Sequence, residues 1–129
     1  MSDREPVIPG RVGITPAAIS SIASQAVLSC YGVVGMASRD LAHGLVEILQ
    51  GDSSRRGVEV TLAEDQIVID LYVVLEYGMR IVAVAENVMT TVKFMVERAV
   101  GVPVREVNVH VQGLRVSERS SKAHTGTDI

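Results

Sequence analysis

The chain has no tryptophan, one phenylalanine and three tyrosines, so aromatics make up only 3 % of its 129 residues. Its core must be aliphatic, built chiefly from Val, Ile, Leu and Met. Cysteine is nearly absent too. A lone Cys30 cannot close an internal disulfide and fits a reducing cytosol; it reads as a small buried core residue rather than a nucleophile. No stretch approaches the ~18 uninterrupted apolar residues that a membrane span requires. The opening "MSDREPVIPG" lacks the basic-then-apolar order of a signal peptide. The expectation is a cytoplasmic protein with no direct membrane insertion, associated with a membrane only through a partner. Positive charge is also short: 12 Lys and Arg against 15 Asp and Glu give a net charge of −3. That balance argues against nucleic acid, which needs a basic stripe to displace counterions, and gives no attraction to anionic lipid.

What is present is apolar residue, 47 % of the chain, enough for one folded domain with a real core. Residues 1–10, with two prolines, a glycine and three charged residues, read as a flexible N-terminus. "RVGIT" alternates briefly, as a short strand would. Thr15 and Pro16 are a helix start, and Ile19, Ile22, Ala23, Ala26 and Val27 keep helical spacing. Gly32 closes that region. "GVVGMAS" suits either a strand or an extended link. A second helix is expected from Asp40, with Leu41, Leu45, Ile48 and Leu49 as its stripe, followed by a loop over "QGDSSRRG". "VEVTL" and "QIVIDLYVVLEYG", joined by "AEDQ", predict a hairpin. In the second strand Ile67, Ile69, Leu71, Val73 and Leu75 share one face; Val68, Asp70, Tyr72, Val74 and Glu76 share the other. That second face is half apolar, which marks a central strand. A long helix follows over Ile81–Val100, with the stripe Ile81, Val84, Ala85, Val88, Val92, Met95, Val96 and Ala99, stopped by Gly101 and Pro103. The last strand, "VNVHVQGLRV", alternates Val107, Val109 and Val111 against Asn108, His110 and Gln112. It can lie parallel to the central strand. Residues 117–129, "SERSSKAHTGTDI", read as a disordered tail.

No pattern in the chain carries a reaction. There is no "GxSxG" elbow beside the serines. The histidines His43, His110 and His124 stand at no metal-ligand spacing, and there is no CxxC. Asp70 and Glu76 lie ~20 Å apart along a strand, too far for a carboxylate pair. "GDSSRRG" matches neither phosphate-binding glycine pattern, and its Arg55 and Arg56 read as a solvated loop. Phe94 is the oddity, an aromatic on the polar side of the long helix. No catalytic residue, cofactor or metal is expected.

Three segments, in order, resemble the alkaline shock protein family of bacteria, also called the envelope stress response family. They are "GRVGITPAAISSIASQAVLSCYGVVGMAS", "IVIDLYVVLEYG" and "VREVNVHVQGL", and the resemblance covers roughly residues 10–116. The resemblance implies a small non-enzymatic protein of cell-envelope homeostasis that works through protein–protein interaction or self-assembly. Its implied partner is a membrane-anchored envelope protein, with a homo-oligomer as a second form. The alternative is an accessory or lipid-binding module of a fatty-acid-kinase-like enzyme.

The expected fold is therefore α+β: a small mixed β-sheet of about four strands, a long C-terminal helix packed on one face, and N-terminal helices, with residues 11–116 as the domain. The expected interaction surface is Asp70, Tyr72, Val74, Glu76, Phe94, Asn108, His110 and Gln112.

Overall fold

The computed structural model describes residues 13–38, 47–64 and 66–116. The flexible N-terminus expected over 1–10, the tail over 117–129 and most of the helix expected from Asp40 lie outside them. The fold is α+β, with two helices and a 3-10 turn against a mixed sheet of five strands, one of them only two residues long.

The first helix, α1 (Pro16–Leu28), starts where the sequence places it. Thr15 is extended and its Oγ1 accepts from the Ala18 N–H at 3.2 Å, satisfying one of the free donors of the first turn. Gly13 to Thr15 form no strand; they lead into this cap, and the alternation of "RVGIT" is too short to establish a strand by itself. Ile19, Ala23, Ala26 and Val27 are buried. Gly32, at φ +91°, turns the chain into β1 (Val33–Ala37), so "GVVGMAS" is a strand.

Ile48 and Leu49, expected on a helix stripe, instead form β2 (Ile48–Leu49), antiparallel to β1 with Met36 opposite Leu49. Pairing with the β1 edge and burial of Leu49 outweigh a helical spacing that rests on few residues. "GDSSRRG", expected as a loop, winds into a 3-10 helix over Gly51–Gly57. The Ser54 hydroxyl donates to the Gly51 carbonyl at 2.7 Å, the kind of local side-chain-to-backbone bond that serine favours in tight turns.

The hairpin is as expected. β3 (Val58–Ala63) runs antiparallel to β4 (Gln66–Glu76), in register from Val58 opposite Leu71 to Ala63 opposite Gln66. Then α2 (Ile81–Val100) ends at Gly101, which takes φ +78° at the left-handed cap. Val84, Val88, Val92 and Val96 are its buried line. Ile81, Met95 and Ala99 of the expected stripe are exposed, because the helix meets the sheet along a narrow seam. β5 (Val104–Arg115) then pairs parallel to β4, from Ile67 opposite Val104 to Glu76 opposite Arg115.

β4 organises the sheet. β5 occupies the whole of one edge, so β3 and β1 share the other: β3 along residues 66–71 and β1 along residues 73–75. Ile67, Ile69, Leu71, Val73 and Leu75 join the valines of α2 and the apolar side of α1 in one core, with at most 2 % of any of these five exposed. This layer of helices leaves the other face of β4 and β5 to carry the polar row.

Candidate interaction surface

Parallel pairing decides what that polar face looks like. The register sets Asp70 beside Asn108 and Tyr72 beside His110, although each pair is about forty positions apart in the chain. The Asn108 amide donates to Asp70 Oδ1 at 3.1 Å and to Glu106 Oε2 at 3.0 Å. His110 Nε2 stands 3.0 Å from the same Asp70 oxygen. With the ring proton on Nε2, this is a hydrogen bond to a carboxylate. The His110 ring also stacks on Tyr72, centroids 4.5 Å apart and planes 13° off parallel. Asp70 keeps 23 % of its side chain exposed and His110 43 %, so the cluster is held in place yet open to contact.

The expected surface thus divides. Asp70, Tyr72, Asn108 and His110 come together. Glu76 lies farther along the same face, opposite Arg115. Gln112 falls at a bulge, where β5 uses one residue more than β4 between Val111 and Gly113. Val74 does not belong to the surface: it is fully buried. Alternation assigns Val74 to a face; it does not say whether that face is covered there. Phe94 does not belong either. It is exposed on α2 with the Arg98 guanidinium 5.9 Å from its ring centroid, in the helical layer on the opposite side of the sheet. The sequence reading missed Glu106. One more step of the 108–110 alternation toward the N-terminus would have found it.

An aspartate beside a histidine is the orienting half of a nucleophilic triad. The chain's single thiol is no third member: Cys30 is in the core on the helical side, its Sγ donating to the Ala26 carbonyl at 3.4 Å. Among the described residues no three His, Cys, Asp or Glu side chains are grouped so as to hold a metal ion. The arginines of α2 and β5 do not all fall at one place. Arg80 and Arg98 stand at opposite ends of α2, and Arg105 and Arg115 at opposite ends of β5. Arg56 is engaged with Glu47 at 3.3 Å. What this face presents is a carboxylate, an amide, an imidazole and an aromatic ring in a fixed arrangement.

Sequence comparisons find relatives along most of the chain. The profile of the alkaline shock protein 23 family, described as having a cell envelope-related function, matches residues 5–116. The uncharacterized protein YloU of Bacillus subtilis is 43 % identical over 109 residues, covering 84 % of this chain and 91 % of that protein. YqhY of the same organism is 31 % identical over 120 residues, covering 93 % and 88 %. A stress response regulator gls24 homolog of Streptococcus pyogenes is 26 % identical over 117 residues, covering 91 % of this chain and 65 % of its own length. No solved structure matches.

Proposed function

The chain belongs to the alkaline shock protein family, whose function is related to the cell envelope, and from that membership we propose that it is a non-enzymatic envelope stress protein that acts by binding a protein partner on the open face of β4 and β5. The observation that carries this reading is the Asp70–Asn108–His110–Tyr72 row. Its polar groups already hold one another through three contacts of 3.0–3.1 Å, so little side-chain entropy is lost when a partner docks. Tyr and His present rigid, amphipathic area of the kind that anchors interfaces. The stress-response name of the streptococcal relative supports the same process. No helix among the described residues is long and apolar enough to cross a membrane, so the partner we propose is a membrane-anchored envelope protein that holds this chain at the cytoplasmic surface.

The test is crosslinking in cells followed by capture from the membrane fraction, with the wild-type chain and an Asn108→Ala/His110→Ala double variant. The reading predicts a membrane protein captured by the former and lost with the latter. Capture of that protein undiminished by the double variant would refute the assignment of this face.

A second reading, a lipid-binding accessory module, is favoured by a different feature. Ile14, Ile19, Leu62, Ile67, Val100 and Val102 line an open, mostly apolar cavity of about 350 Å³, within the size range of small-molecule sites. It lies where the N-terminus of α1, the β3–β4 hairpin and the end of α2 meet, away from the polar row. Native mass spectrometry of the protein taken from cells would show a lipid adduct, removed by Leu62→Lys; adduct-free protein would dismiss the reading.

A further inference from the structure

β5 is twelve residues long and borders the sheet. Among the described residues, no strand pairs with its outer edge. Long edges are usually blunted by charged residues (lysine above all), proline, bulges or a short strand; the charges and bulges of β5 lie toward its two ends. Residues 104–115 contain neither lysine nor proline, and between its two bulges β5 runs unbroken from Glu106 to Val111. The core-side valines show the same openness: Val109 and Val111 are only partly buried, while Leu71 and Val73 beside them in β4 are fully buried.

We propose that this edge pairs with the same edge of a second copy, antiparallel about a two-fold axis at His110, joining two sheets into one. The proposal rests on β5 alone and not on the partner-binding reading above. Its register follows from the ladder. Opposed residues in a sheet must point to the same face. The pairing with β4 places Glu106, Asn108, His110, Gly113 and Arg115 on the polar face, and Val107, Val109, Val111 and Leu114 on the core face. An antiparallel two-fold pairing centred on His110 respects both sets. With Gln112 bulged out of the ladder, as it is against β4, Val109 faces Val111 of the second copy, Asn108 faces Gly113, Val107 faces Leu114 and Glu106 faces Arg115. Centring one position to either side, on Val109 or on Val111, brings core-side and polar residues into matching sets as well. Neither places Glu106 opposite Arg115; centring on Val109 pairs as many positions, and centring on Val111 pairs fewer. The charges at the two ends of β5 therefore select the register, while backbone hydrogen bonds and the valine contacts supply the attraction, as in other strand-addition interfaces.

Light scattering on the full chain over a range of concentrations should show a dimer of twice the 13.8 kDa chain mass. Glu106→Arg sets arginine against arginine at both ends of the joint, and Arg115→Glu sets glutamate against glutamate. Each should weaken the dimer by on the order of tenfold at low salt. An equal mixture of the two variants restores opposite charges at both ends, so a heterodimer should form from two chains that do not dimerise well alone. That rescue requires both variants to be folded, and a melting curve of each confirms it. As a separate check, His110→Cys should form an intermolecular disulfide on oxidation. Glu106→Cys should not, since its two copies would lie roughly 26 Å apart at strand rise. A chain that stays monomeric at every concentration, a dimer indifferent to both charge reversals, or crosslinking through Glu106→Cys in place of His110→Cys would each overturn the proposal.

Discussion

Gly57, the last residue of the 3-10 helix, is a position where one methyl group should be costly. A Cβ built there would stand 2.7 Å from the Ala37 carbonyl oxygen, 2.9 Å from Met36 Cβ and 3.1 Å from the Tyr72 carbonyl oxygen. Two of these three are backbone oxygens of β1 and β4, strands fixed in the middle of the sheet, so no flexible side chain can swing away. Overpacking of a close-packed site costs ~1–3 kcal/mol, and the rigid neighbours place Gly57→Ala near the top of that range. With ~100 ordered residues and an unfolding entropy of about 2.1 cal/mol/K per residue, a loss of ~2–3 kcal/mol lowers the melting temperature by roughly 10–15 °C. The control is Gly51, at the other end of the same 3-10 helix. It has φ +63° and nothing within 4 Å of its added Cβ. Gly51→Ala meets only the backbone penalty of the left-handed region, ~1–2 kcal/mol, and Gly51→Asn less, because asparagine tolerates that region. Gly57→Asn, by contrast, should be worse than Gly57→Ala. Differential scanning calorimetry of the four variants separates a shortage of space from a demand on φ. A Gly57→Ala chain that melts within about 3 °C of wild type would show that the close approach of the 3-10 helix to the sheet is wrong.

Leu71→Ala, at the fully buried centre of β4, should cost ~2–5 kcal/mol in urea unfolding, whereas Phe94→Ala on the exposed side of α2 should stay within ~0.5 kcal/mol. Asp70→Ala removes the acceptor that serves both Asn108 and His110. In this partly exposed setting the two lost bonds should amount to about 1 kcal/mol, seen as a lower urea midpoint with an unchanged slope; Asp70→Asn, which keeps one oxygen acceptor, should lose less. His110→Gln should leave the melting temperature nearly unchanged, and a large loss of stability would mean that the ring supports the core rather than the surface.

The long elements were readable from the chain because each is a repeat of one period. Val84, Val88, Val92 and Val96 announce α2, and the alternation from Ile67 to Leu75 announces β4. Both signals persist over enough residues that no other structure would bury the same set. β2 has only Ile48 and Leu49, too few to show a period, and its pairing with β1 is a tertiary fact. The 3-10 helix over "GDSSRRG" depends on serine-to-backbone bonds that composition alone reads as a loop. The polar row was half legible. Alternation put Asn108 and His110 on one face of β5, and Asp70 and Tyr72 on one face of β4. Their meeting depends on the parallel register across α2, which no local pattern encodes. Val74 and Phe94 separate from the row for the complementary reason: periodicity gives the direction of a side chain within its own element, but not that Val74 is covered, nor that the exposed Phe94 lies on the opposite side of the sheet.

The Tyr72–His110 stack also gives the surface its own optical signal. With no tryptophan in the chain, tyrosine dominates the near-ultraviolet spectrum. Tyr31 and Tyr77 are 78 % and 64 % exposed, and freely turning rings contribute little circular dichroism. The chiral signal of the folded protein should therefore arise chiefly from Tyr72, held nearly parallel to an imidazole. Anything that docks on this face, or parts the two rings, should be visible as a change in that band without a dye, a tag or a mutation.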